Sequence, residues 1–384
     1  MSVQLTSHKV AKSFPLTSPP PEPKNALDPN WIASEKHYGD RKLWITYPFP
    51  DKLNLVADLT DEMTLVPDVS GKSAKQIYYQ FDHEISSHLK QYPKIPDDHI
   101  SLVQLKGKHK PYGAVFQLGP ESARLARLEL SRRNGQDYPV WKLALTLNPC
   151  KVGAQQMLAI PELFENALWM FDFYKFLEAT HITRVDCAID IIGARPIDLI
   201  CRIENPGKRM AFLDGKYGPE SFYWFQKKEH PSAPPKSSNY KSQGPTRLLV
   251  YERRARAIQH GFQPPHGKTP VTRVEIKHMW KGAWHPFSSL PNLKNLISGR
   301  EVAYASQPHL ISSPRWRELC ERSWSMGADN LSIHSPLAKN LQLINEYHNI
   351  EPDLITSKNW IGWAKGLELT GITDWLYNIP KSSN

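Results

Sequence analysis

The chain has 384 residues, enough for one large core with tails or two modest domains, and its Lys and Arg exceed its Asp and Glu by 48 to 38, a formal charge of +10. Such a balance favours a polyanionic partner, and 12 Trp and 15 Tyr supply stacking faces for unpaired bases, so single-stranded or distorted DNA is the expected partner. Four widely separated cysteines exclude thiolate zinc and a disulfide framework, and no apolar run approaches the ~18 residues of a membrane span, so a cytoplasmic protein with no membrane partner is expected.

Residues 1–30 are polar and proline-rich and read as a flexible arm. Across 31–96 apolar residues are scattered, and the clearest pattern is a helical stripe through Ile77, Phe81, Ile85 and Leu89. Strands are expected at 100–105, 113–118 and 140–147, with an arginine-rich segment at 122–133 that is either a solvated face or a phosphate track. The segment 161–180 opens with Pro and acids and predicts one long packing helix. After a strand at 181–192, a short helix is expected near 196–203 and strands at 209–213 and 221–226. A Pro-, Ser- and Lys-dense loop at 227–244 then leads into a strand at 246–252 with a basic helical extension. From Trp280 onward the pattern is helical and aromatic, with a boundary near 298–307 and helices at 314–324, 336–348, 358–369 and 372–376.

Two strands carry the chemistry. In HITRVDCAIDII, residues 181–192, period-two alternation puts Arg184, Asp186, Ala188 and Asp190 on one face and Val185, Cys187, Ile189 and Ile191 on the other. PVTRVEIKH, residues 270–278, repeats the Thr-Arg-Val-acid pattern and puts Arg273, Glu275 and Lys277 on one face. Asp186, Asp190 and Glu275 converging would repel one another without a cation between them, and oxygen ligands at that density suit Mg²⁺ or Mn²⁺. The plainer reading is a pair of amphipathic strands whose arginines and acids neutralise each other.

Three stretches in order, ITRVDCAIDI, NYKSQGPTRLLVYERRAR and VTRVEIKH, resemble the rolling-circle replication initiators of small plasmids and filamentous phages, of the replication-initiation-factor (Rep-trans) type. The similarity spans roughly residues 140–300 and implies a nicking and joining enzyme: a tyrosine attacks a phosphodiester of single-stranded or hairpin origin DNA, giving a 5′-phosphotyrosyl link and a free 3′-hydroxyl. Matched position by position, the nucleophile falls on Tyr240 and the strand tyrosine on Tyr251. Arg184 and Arg273 would clamp phosphate oxygens or orient the ligands, and Lys241, Arg247, Tyr251, Arg253 and Arg254 would contact DNA. The family has Gly-Ser-Arg after its nucleophile where this chain has Lys-Ser-Gln-Gly, which keeps Tyr223 and Tyr217 as competitors. The His-hydrophobic-His strand of the wider relaxase group is absent from the sequence. A host helicase or polymerase is the further partner that such an initiator implies.

The sequence therefore predicts an α+β fold with a central antiparallel sheet backed by helices. The organisation is an arm at 1–30, a nicking domain at 31–300 and a helical region at 301–384 that is a candidate DNA-binding module. Two rival functions share these residues: a hydrolytic nuclease using water on the same metal, and a non-catalytic DNA-binding regulator.

Overall fold

The computed structural model describes residues 28–58, 100–103, 114–120, 124–134, 139–168, 171–203, 209–213, 222–226, 246–259, 269–280, 285–304 and 352–380, with isolated positions at 76, 79 and 83. Residues 1–27 of the expected arm, the helical stripe through Ile77, Phe81, Ile85 and Leu89, the loop at 227–244 and the helices at 314–324 and 336–348 lie outside these residues.

Three strands that the scattered apolar residues of 31–58 did not announce come first: β1 (Ile32–Tyr38), β2 (Arg41–Thr46) and β3 (Phe49–Asp58). β1 and β2 form a hairpin whose turn holds Gly39 at φ +58°, a left-handed conformation natural to glycine. β1 buries none of its seven residues, so its sequence lacks the apolar alternation by which strands are read. β4 (Ile100–Val103), β5 (Val115–Leu118), β6 (Ala126–Asn134) and β7 (Pro139–Leu147) follow as an antiparallel run.

A helical layer comes next, made of α1 (Pro149–Val152), α2 (Ala154–Met157), α3 (Ile160–Ala167) and α4 (Phe173–Ala179). The single helix expected over 161–180 is thus two. Asp172 restarts it by accepting a hydrogen bond from the Lys175 N–H at 2.8 Å, while the Glu165 carboxylate accepts from the Phe173 N–H at 3.0 Å. Phe164 stacks on Phe176 at 5.0 Å and meets Phe173 edge-on at 5.2 Å, which makes this layer an aromatic core.

β8 (His181–Ile192) is the longest strand and the hub of the sheet. The helix expected at 196–203 is instead a 3-10 turn at Pro196–Asp198 followed by β9 (Leu199–Ile203), because β9 finds a strand partner late in the chain. Then come β10 (Arg209–Leu213), β11 (Phe222–Gln226), β12 (Thr246–Glu252), α5 (Arg253–Gln259), β13 (Val271–Met279), β14 (His285–Pro286) and β15 (Arg300–Tyr304). The main sheet runs β10-β11-β12-β13-β8-β3-β7-β6-β5-β4, antiparallel throughout, with β2 and β14 also pairing to β8; β15 pairs with β9 in a small second sheet.

The C-terminal helices are α6 (Trp363–Leu369), entered through a 3-10 turn at Ser357–Gly362, and α7 (Ile372–Asn378). β15 lies inside the window expected as a boundary, 298–307, whose last three residues are outside the described ones, and Leu354, Ile355, Trp363, Leu367, Ile372 and Trp375 belong to the main core. Indole N–H groups lock this packing, Trp363 donating to the Leu290 carbonyl at 3.0 Å and Trp375 to that of Met157 at 3.2 Å. Gly366 lies so close to β3 that an added Cβ would stand 1.9 Å from the Pro48 carbonyl oxygen. Among the described residues no helix is long and apolar enough to cross a membrane.

Candidate functional site

β8 separates its two faces as its alternation dictates. Val185, Cys187, Ile189 and Ile191 are buried in the main core, and the charged set lies on the other side with β3, β13 and β12. Pairing of β13 to β8 sets Arg273 opposite Asp190, Glu275 opposite Ala188 and Lys277 opposite Asp186. β12 extends the rows, with Tyr251 opposite Arg273, Leu249 opposite Glu275 and Arg247 opposite Lys277. β3 closes the other flank, its register shifting between Pro50 and Lys52 so that Lys52 faces Asp186 and Asp51 sits at the irregularity.

Ala188 is small for a packing reason. It is fully buried beneath Phe49, with Trp31 and Cys150 in the same apolar cluster and Leu369 of α6 against it. Phe49 meets Trp31 edge-on at 5.2 Å and lies under the Arg273 guanidinium at 5.0 Å.

The carboxylates are held by arginines. Arg273, 2% exposed, donates from Nε to Asp190 Oδ1 at 2.7 Å, from Nη2 to Asp190 Oδ2 at 2.8 Å and to the Cys150 sulfur at 3.8 Å, and from Nη1 to Asp51. Arg253 adds a bond from Nη1 to Asp190 Oδ2 at 2.6 Å. Burial alone would raise the Asp190 carboxyl, but Arg253 and Arg273 overcome it and hold it down at about 2. Arg184 clasps Asp186 through Nε, at 2.7 Å, and Nη2.

Glu275 differs. It is buried, has no arginine bonded to it among the described residues, and accepts only a long bond from the Tyr251 hydroxyl at 3.4 Å. Burial, then the nearby charges of Asp51 and Asp186, push its carboxyl well above the usual range. The Tyr251 phenol is buried in turn and is raised by that burial and by Glu275, while Arg256 covers its ring at 4.5 Å. On the β3 flank, burial followed by the repulsion of Arg184 lowers the Lys52 ammonium.

The three acids expected to ligate Mg²⁺ or Mn²⁺ therefore share a face, but their donor atoms do not form a ligand set. All four oxygens of Asp186 and Asp190 accept from guanidinium groups, and among the described residues no three His, Cys, Asp or Glu side chains group as metal ligands. No family model matches the chain, and no curated protein does.

Of the other expected residues, Tyr240, Lys241 and Tyr217 lie outside the described residues. Tyr223 stands on β11 opposite Leu249, in the cross-strand row of Glu275. Arg253, expected on DNA, is turned inward to Asp190 instead, because a buried carboxylate outcompetes solvent for a guanidinium within reach. Arg254 is the second residue of α5, its backbone N–H bonded to Glu252 at 3.1 Å. Asp51, Lys52 and Cys150 were not anticipated. The one sequence signal for the first two, an acid and a lysine flanked by Pro50 and an alternating Leu53–Leu55–Ala57 run, is legible only once β3 is known to be a strand.

Proposed function

We propose that this face is the centre of a DNA strand-nicking and joining enzyme of the rolling-circle initiator kind. The observation that supports it best is the direct pairing of β13 with β8, which gathers Asp186, Asp190, Glu275, Arg184 and Arg273 beside the phenol of Tyr251 on one rigid sheet face. In the proposed reaction a tyrosine oxygen attacks phosphorus, the tyrosyl O–P bond forms as the P–O3′ bond breaks, a nearby base takes the phenolic proton, and the departing 3′-oxygen takes a proton from solvent to leave as a hydroxyl. Tyr251, 3% exposed, is too enclosed to meet DNA and serves to position Glu275. The nucleophile is assigned to Tyr240, with Tyr223 as the competitor whose strand position lies in the Glu275 row. Arg184, Arg253 and Arg273 hold the oxygens of Asp186 and Asp190, so the proposed step needs no divalent ion bound by them.

The test is to incubate the full chain with labelled DNA from the locus that encodes it, with and without Mg²⁺ or Mn²⁺, and to look for an SDS-resistant protein–DNA adduct. Tyr240→Phe and Tyr223→Phe then identify the attacking phenol. Cleavage without an adduct selects a hydrolytic nuclease. Binding without cleavage selects a DNA-binding regulator, a reading favoured by the arginine pairing of Asp186 and Asp190.

A further inference from the structure

The cations of this face fall into two kinds. Arg273 is enclosed, makes four hydrogen bonds and has Phe49 across one side, so no edge of its guanidinium is open to a phosphate oxygen. Lys52 is the opposite case. It is half-buried, faces Asp186 across β3 and β8, and among the described residues has no hydrogen-bond or ion-pair partner. Asp186 is bonded through both oxygens to Arg184 and not to Lys52. An ammonium drawn partly out of water without a partner is costly, and an arriving anion removes that cost. The cross-strand row itself reads Lys52, Asp186, Lys277, Arg247, three basic positions to one acid, continuing across four strands.

We propose that Lys52 is a phosphate-contacting residue of this face, gripping a phosphodiester oxygen of single-stranded DNA beside Arg184, whose side chain is 18% exposed, while Arg273 acts as a positioning residue that fixes Asp51 and Asp190. The proposal rests on reading the face as a DNA-processing centre, and it moves the phosphate grip from the strand that carries Glu275 to the first long strand of the sheet.

Binding of the full chain to a fluorescent twelve-nucleotide oligo(dT) is followed by anisotropy over a range of salt, for the unaltered protein, Lys52→Gln, Lys52→Arg and the remote control Lys365→Gln. One lost phosphate contact lowers the slope of log affinity against log salt by about 0.7 and weakens binding about fivefold near 0.1 M salt. That loss is expected for Lys52→Gln, with rescue by Lys52→Arg and no change for Lys365→Gln. In parallel, reductive methylation of the unaltered protein read by mass spectrometry is expected to show the Lys52 amine protected by the oligonucleotide. A slope unchanged in Lys52→Gln, or an amine equally reactive with and without DNA, overturns the proposal; the methylation result decides alone if Lys52→Gln does not fold. An adduct in the nicking assay with Lys52 unprotected sinks this inference and leaves the nicking reading standing. Protection without any adduct does the reverse.

Discussion

Replacing Arg273 by Met keeps the unbranched stem of the side chain and removes the guanidinium on which two buried acids depend. In the native protein Asp190 is bridged by Arg273 and Arg253, and Asp51 by Arg273, all at the centre of the sheet. Removing one partner of a buried ion pair costs about 3–5 kcal/mol, because the carboxylates stay behind without it. The pH dependence follows from Asp190, whose carboxyl lies at about 2 in the folded chain against an ordinary 3.8. A depressed carboxyl contributes stability above its unfolded value and loses it as pH falls through its folded one, here about 2 kcal/mol that disappears between about pH 4 and pH 2. Without Arg273 much of that contribution is already gone, and protonation relieves the stranded acids. Urea unfolding followed by tryptophan fluorescence is therefore expected to show a gap of about 3–5 kcal/mol between the two proteins at pH 7, narrowing below about pH 4. Equal stability at pH 7, or a gap that does not change with pH, would refute the account of Arg273 as the tie between Asp51 and Asp190.

Gly366→Ala places a methyl 1.9 Å from the Pro48 carbonyl oxygen, so α6 must lift from β3; a loss of about 3 kcal/mol or more in thermal unfolding is expected, in the range of severe overpacking. Gly39→Ala, with nothing within 4 Å of the new methyl, should cost only the left-handed strain of about 1 kcal/mol. Tyr251→Phe removes one long hydrogen bond to Glu275 and should change stability by no more than about 1 kcal/mol, measured by the same unfolding assay, while a larger loss would mean that the contact is stronger than its 3.4 Å length implies. Burial pushes the Cys201 thiol up to about 12 and raises those of Cys150 and Cys187, so peptide mapping after alkylation at pH 8 should find all three unmodified until the chain is unfolded.

Much of the sheet could be read directly, because β8 and β13 alternate cleanly between apolar and charged residues and the repeated Thr-Arg-Val-acid pattern put their charged faces in view. What escaped was decided by partners far away in the chain. β1 is a polar edge strand, β9 becomes a strand only because β15 lies beside it, and the break between α3 and α4 depends on local bonds from Asp172 and Glu165 that an apolar stripe cannot reveal. In the site, the faces of Asp186, Asp190 and Glu275 followed from period two, whereas their occupancy by Arg184, Arg253 and Arg273 did not. Charge type tells which residues attract one another, and only the register tells which pairs close. Asp51 and Lys52 were invisible for the same reason: a bulge, which has no residue signature of its own, aims them.

The seating of α6 on β3 bears on how the molecule is made. Phe49 and Asp51 leave the ribosome long before the helix that covers Pro48 and Phe49, which ends at Leu369 more than three hundred positions later, and β8 waits roughly eighty to ninety positions for β13. Contacts so remote along the chain slow folding and leave unpaired strand edges bare during synthesis. The newborn polypeptide thus holds an unfinished, aggregation-prone sheet until α6 has been made, and a premature stop upstream of Trp363 would leave Pro48 and Phe49 uncovered and the chain open to proteases.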